Sequence, residues 1–244
     1  MGHRQPCEKN IRPCRASNRR RQPLNHLLMS ESIPHTKPEV FILESLYLDN
    51  EKSEKDGELL SRTLAMYGKK PIYYYFRTER ELEELIELFK ISKYRYLHIS
   101  CHGSGTEIHT TFDKMTYLRF GQIVSGALNN KRLFVSACEV GNDLFATAVS
   151  GSNAGLYSII APSTVIHFNR SAAFWSAFYF LMFDIDSKKM KRKMLVERLE
   201  KIVQLFDVHL HYTWNSAHEK RFVSKVFEPK PIIAAKASHQ SVSR

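Results

Sequence analysis

At 244 residues, 43% hydrophobic and 25% charged, the chain is long enough for one well-buried core and does not require a second. Its formal charge of +11 looks like a nucleic-acid signal until it is located: residues 1–28 hold seven Lys or Arg against one Glu, so +6 sits there and only +5 remains for the rest. So small an excess makes no case for a nucleic-acid footprint, which needs Lys and Arg clustered on one face.

Cysteines at 7, 14, 101 and 138 form no secreted disulfide framework, because two lie in a tail and two at strand ends; a reducing, cytoplasmic setting is the simpler expectation. The longest apolar run, Ala172 to Phe183 with one serine inside, is well short of the roughly 20 residues that span a bilayer, so no membrane association is expected. The N-terminus has arginines but no apolar core of a secretory signal, and Pro6, Pro13 and Pro23 argue against an amphipathic transit helix.

Residues 1–30 combine Pro, Arg, Asn and Ser without apolar periodicity, and read as a disordered basic tail. Met29 is a plausible alternative start, which would make residues 1–28 dispensable. The predicted domain spans 31–228 and a second tail 229–244. EVFILESL at 39–46 is a short continuous apolar run suited to a strand covered on both faces. Leu59, Leu60, Thr63, Leu64 and Tyr67 follow at helical spacing over 53–67, and Gly68 ends that helix. PIYYYF at 71–76 is the second strand. Thr78 and Glu81 form a capping box, opening a helix with a stripe of Leu82, Leu85, Ile86 and Phe89. Tyr94 to Ser100 is the third strand. Strand and helix in alternation predict an α/β fold with parallel strands and right-handed crossovers.

Residues 107–120 suggest a hairpin around Asp113 and Lys114, 121–128 a short helix, and 133–136 the fourth strand. LYSIIAPSTVI at 156–166 reads as a fifth strand ended by Pro162, then helices over 171–183 and about 187–206, with Glu197 and Lys201 on the exposed face of the second. Phe222 to Phe227 is a last edge strand. There is no repeat at a fixed period.

Two of these strands end on reactive side chains. YRYLHISCHGSG runs into His102 and KRLFVSACEVG into Cys138. If both strands are parallel in one sheet, their carboxyl ends open on the edge where α/β folds place ligands. A thiolate is the nucleophilic form of cysteine, and a nearby histidine can favour it and later protonate a leaving amine. Gly103 permits close backbone approach, and its amide with that of Cys138 can donate to a tetrahedral oxyanion. A lone cysteine or histidine is more often a packed core residue; the paired loop contexts point to acyl transfer. His98, His102, His109, Cys101 and Cys138 include zinc-ligand types, but no paired CxxC supports a metal, and Cys101 alternates to the other face of its strand. No GxSxG elbow, P-loop or complete GxGxxG is present, so no cofactor is expected.

HISCHG at 98–103 and LFVSACEVG at 133–141 resemble the histidine and cysteine motifs of the caspase-like peptidases, the group of caspases, separase, gingipains and legumain. SACEVG, with the later run at 158–182, is most similar to the CHAT branch, and the resemblance covers about residues 40–181. It implies a caspase-like three-layer sandwich with a mostly parallel central sheet. On it, His102 and Cys138 are the catalytic dyad, Gly103 contributes to the oxyanion site, and protein or peptide substrates and a regulatory protein partner are expected. The pattern also departs from the family. The dyad residues are 36 apart, against about 50 in caspases, and Ser136 stands where caspases carry Gln, so specificity for aspartate does not transfer. His167 and Phe168 stand where CHAT proteins commonly carry Trp. Several members select a basic side chain through an acidic pocket; Glu44, Asp49, Glu139 and Asp143, read as lying on candidate loops, with Ser136, are the candidate substrate-binding residues. The alternative is a catalytically inactive caspase-like interaction module.

Overall fold

The computed structural model describes residues 36–230. The tails expected at 1–30 and 229–244, the start at Met29, and Cys7 and Cys14 lie wholly or mainly outside the described residues. In chain order the elements are β1 (Lys37–Ser45), α1 (Asp56–Met66), β2 (Ile72–Tyr75), α2 (Glu79–Ser92), β3 (Tyr94–Gly103), β4 (Glu107–His109), β5 (Lys114–Thr116), α3 (Tyr117–Ile123), β6 (Arg132–Ser136), α4 (Asp143–Gly151), β7 (Ser158–Pro162), α5 (Phe168–Ile185), α6 (Arg192–Phe206), β8 (Leu210–Ser216) and β9 (Arg221–Phe227).

The strands form one sheet in the order β2-β1-β3-β6-β7-β8-β9, with the β4–β5 hairpin hanging from the end of β3. The pairs from β2 to β7 are parallel, and β7, β8 and β9 are antiparallel to one another in turn. Both faces are covered, because alternate side chains along each strand feed two separate cores. Phe41, Leu43, Leu97, Ile99, Leu133 and Val135 pack against α2, α3 and α4. Val40, Ile42, Tyr96, Phe134, Ile160 and Tyr212 pack against α1, α5 and α6. The expected α/β sandwich with a mostly parallel central sheet is the architecture observed.

Local sequence explains the ends of these elements. Thr78 accepts from the Glu81 amide, and the Glu81 carboxylate accepts in return from the Thr78 amide, so the capping box starts α2 as expected. Gly68 adopts a positive φ of 74° just beyond α1, a conformation that costs glycine little. Three expectations shift. The short helix lies at 117–123 instead of 121–128, because the Thr116 hydroxyl accepts from the Arg119 amide and starts it earlier. α5 begins at Phe168, three residues before the expected boundary, and α6 begins at Arg192, after a turn tied by the Asp186 carboxylate to the amides of Lys188 and Lys189. Two elements were not anticipated. α4 is a nine-residue, alanine-containing helix whose apolar stripe is too short for periodicity to reveal. β8 carries the alternation Leu210, Tyr212, Trp214 within a segment whose polar residues resemble a connection.

Candidate active site

The parallel strands all present their carboxyl ends on one edge. Ser100 of β3 lies opposite Ser136 of β6, so His102 and Cys138, each two residues further on, leave the sheet as neighbours. The two loops are closely apposed: a Cβ on Gly103 would lie 3.1 Å from the Cys138 carbonyl oxygen and 2.6 Å from Val140 Cγ2. Glycine is therefore the residue this approach allows. Beyond Cys138, Glu139 takes a left-handed conformation with φ 60°. Its amide donates to Thr164 O at 3.2 Å, and the Gly141 amide to Pro162 O at 2.7 Å. The cysteine loop is thus bound to the segment leaving β7. The half-buried Cys138 thiol donates to Ile166 O and accepts from Ile166 N–H, each at 3.4 Å.

His102 is held on three sides. Its Nε2 lies 3.0 Å from Asn50 Oδ1. A carboxamide oxygen only accepts, so Nε2 carries the proton and Nδ1 keeps a free lone pair. Tyr47 stacks on the imidazole at 3.9 Å with the rings 10° from parallel. Phe168, two residues beyond the Cys138 contact at Ile166, meets it edge-on at 5.2 Å. Burial, with a smaller contribution from the nearby His109, pushes the His102 pKa down to about 4. The ring is a neutral base at physiological pH.

Beneath the strand exits lies a polar network within the sheet's α1 and α5 side. Asp56, 5% exposed at the start of α1, accepts from the Ser100 hydroxyl, from Ser171 at 2.8 Å and from Ser136 at 3.0 Å. Glu44, fully buried, accepts from the Gly57 amide at 2.7 Å and the Tyr73 hydroxyl at 2.7 Å. Burial, with the Asp56 charge as a further cause, pushes the Glu44 pKa up to about 7. Burial raises that of Asp56 too, opposed by its three serine hydrogen bonds. Asp56 also lines a recess of about 890 Å³ between the α1 start and α5, walled by Glu54, Leu59, His167, Phe168 and Arg170.

The sequence-derived residues divide accordingly. Ser136 and Glu44 join the network at Asp56, although Glu44 sits inside β1 and not on a loop. Asp49 is exposed in the turn between β1 and α1. Glu139 is exposed beside Cys138, and Asp143, exposed at the start of α4, contacts His211 Nε2 at 3.1 Å. Cys101 is buried in the opposite core, where burial raises its thiol pKa strongly. His98 is likewise buried, with Nδ1 3.3 Å from the Tyr179 hydroxyl and a pKa pushed down to about 3 by burial. Sequence reasoning missed Asn50, Tyr47 and Asp56. Only Asp56 had a local signal, an acidic residue opening an amphipathic run. Among the described residues no group of three or more His, Cys, Asp or Glu is disposed to hold a metal ion, and no helix is long and apolar enough to cross a membrane.

Glu44 gives the fold a measurable pH response. Its folded pKa of about 7 exceeds the ordinary 4.5, so the folded protein binds more protons than the unfolded chain between those values. The group's contribution to stability is full below about 4.5 and is lost as pH rises through about 7. Between pH 6 and pH 8 the expected loss is about 1 kcal/mol. Glu44→Gln, which removes the titration, is expected to flatten this slope in urea unfolding at the two pH values; an unchanged slope would remove Glu44 from this role.

No protein-family model matches the chain, and no curated protein does. Among solved structures, the chain is similar to the crystal structure of caspase-1 from Spodoptera frugiperda, with a TM-score of 0.47 and 14% identity, over 80% of this chain and 87% of that one.

Proposed function

We propose that the protein is a cysteine endopeptidase of caspase-like type, in the CHAT branch that SACEVG at 136–141 resembles, acting on protein or peptide substrates in the cytoplasm. The observation that carries this reading is the placement of His102 and Cys138 each two residues beyond the paired Ser100 and Ser136 of adjacent parallel strands, with His102 Nε2 engaged by Asn50. His102 Nδ1 takes the Cys138 proton as the sulfur attacks the scissile carbonyl. The tetrahedral oxyanion accepts from the backbone amides of Gly103 and Cys138. The imidazolium then protonates the leaving amine, giving a thioester between Cys138 and the acyl fragment. A water, deprotonated by His102, hydrolyses that thioester and restores the thiol. Asn50 accepts from Nε2–H throughout and so stabilises the positive ring.

The recess walled in part by Phe168, the ring that meets His102 edge-on, suggests the side chain preferred before the scissile bond. Of its charged walls, Lys55 pairs with Glu58 and Arg170 with Asp207, leaving Glu54 and Asp56 without an ion-pair partner among the described residues. An Arg or Lys side chain fits that balance. Glu54→Gln, which leaves the buried Asp56 network intact, is expected to lower kcat/KM for substrates with Arg or Lys there by roughly tenfold to a hundredfold, the range for a lost hydrogen bond to a charge, and to spare neutral ones. Glu139, Asp49 and Asp143 are assigned lesser contacts with extended substrate.

One observation favours the inactive interaction module instead: the Cys138 thiol hydrogen-bonds to the Ile166 backbone. The two readings separate on a library of fluorogenic peptides varied on both sides of the cleaved bond. Turnover that alkylation of Cys138 eliminates supports the peptidase. No turnover across the library, with ordinary thiol reactivity at Cys138, supports the module and a regulatory protein partner.

A further inference from the structure

We propose that Tyr47 is a positioning residue for His102, itself anchored by His109, so that a stacked aromatic ring fixes the plane in which the imidazole exchanges its proton. The inference rests on the reading of His102 as the general base. Tyr47 remains 37% exposed, so its placement against His102 is not a requirement of core packing. It lies parallel to the imidazole, 3.9 Å away, and its hydroxyl is 2.6 Å from His109 Nδ1. His109 is the residue of β4 directly opposite His102 of β3. One short hairpin therefore carries both the ring to be positioned and the anchor of the ring that positions it.

The other end of Tyr47 is fixed by its loop. Its carbonyl accepts from the Asn50 amide at 2.9 Å, and the Asn50 side chain is the partner of His102 Nε2. Leu46, just before it, donates to the Tyr75 hydroxyl at 3.1 Å and accepts from the Thr111 hydroxyl at 2.7 Å. Glu51, just after, accepts two hydrogen bonds at 2.9 Å from the Arg77 guanidinium. Tyr47 supplies a face contact and Asn50 an in-plane contact, and together they determine both the tilt and the rotation of the imidazole. A general base acts efficiently only when its lone pair is aimed at the proton, and small angular errors are expensive in rate. The stack also keeps water from one face of the ring, in line with the direction in which burial moves its titration.

The titratable groups around this unit are few. His109 Nε2 is buried without a hydrogen-bond partner and lies 3.5 Å from the Glu107 carboxylate. Lys114, opposite His109 on β5, His102, and Cys101 near the Tyr47 hydroxyl complete the titratable surroundings. With His109 neutral, its Nδ1 accepts from the Tyr47 hydroxyl and its Nε2–H faces the Glu107 carboxylate.

The test uses the full chain, labelled with ¹⁵N-histidine, as parent, Tyr47→Phe, Tyr47→Leu and His109→Leu. Steady-state kinetics on the best library peptide give kcat and KM, and NMR gives the tautomer and titration of His102. Tyr47→Leu is expected to lower kcat about tenfold with KM within about twofold, and to move the His102 titration upward from about 4. Tyr47→Phe keeps the stack and loses the anchor, so both effects are expected to be smaller. Unchanged kcat or an unchanged His102 titration in folded Tyr47→Leu overturns the proposal. Should that variant fail to fold, His109→Leu decides by the same two readouts. If the parent cleaves no peptide, the peptidase reading fails, and the titration and tautomer of His102 still report whether Tyr47 positions its ring.

Discussion

Cys138→Ala is expected to abolish peptide cleavage, a loss of at least about 10³ in kcat, while leaving thermal unfolding within a few degrees of the parent. The thiol is half-buried at a strand exit, where it bonds the Ile166 backbone and packs at the margin of the α1, α5 and α6 core, so removing one sulfur opens little space. Cys138→Ser is expected to fail equally, because an unactivated hydroxyl is a far weaker nucleophile. Cys101→Ser provides the contrast. Cys101 is 2% exposed among the apolar residues beneath α2, α3 and α4, so a hydroxyl there costs about 1–3 kcal/mol of stability and leaves the chemistry intact. Activity and active-site titration of the three variants, with unfolding curves, check this. Swapped outcomes for the two cysteines would contradict the register of β3 against β6.

The histidines of β3 divide in the same way. His102→Ala is expected to lower kcat by about 10² to 10⁴, the range for a lost general acid or base, with little change in stability. His98→Ala is expected to destabilise the fold by about 2–4 kcal/mol with kcat retained. His98 packs edge-on against Trp175 at 5.0 Å and partners the Tyr179 hydroxyl, so truncation opens a cavity and orphans a buried hydroxyl. The pH profile separates the roles further. With the His102 pKa near 4, a neutral imidazole is present at all higher pH, so the acid limb of kcat/KM is expected near 4 and not near 6.5. Stability moves with the same sign: both histidines titrate below their ordinary value of 6.5, so their contribution is full above it and is lost as pH falls through it toward about 4 and about 3.

What could be read from the chain follows from where the information is local. The runs ending at His102 and Cys138 are continuous and strand-like, and each is closed by small residues, so both the strands and the placement of these two residues at their ends were legible. β8 and α4 were not, because neither carries a period long enough to stand out from its neighbours. The surroundings of the dyad are non-local. Asp56 is held by serines 44, 80 and 115 residues away, and nothing in KDGELL announces them. Asn50 and Tyr47 reach His102 from a turn more than 50 residues earlier, and a turn composed as LYLDNEK reads as solvated loop. Glu44 shows the reverse error. A carboxylate among apolar residues was read as loop chemistry, whereas it lies inside β1 with its partners supplied by α1 and β2.

Covalent labelling of the parent by a short peptide that carries Arg before an electrophilic ketone tests the dyad most directly, with the modified residue found by peptide mapping. The expected result is one adduct per chain, on Cys138, formed far faster than alkylation by iodoacetamide and lost in His102→Ala. Labelling spread over several residues, or a Cys138 rate that His102→Ala leaves unchanged, would contradict a working His102 and Cys138 pair.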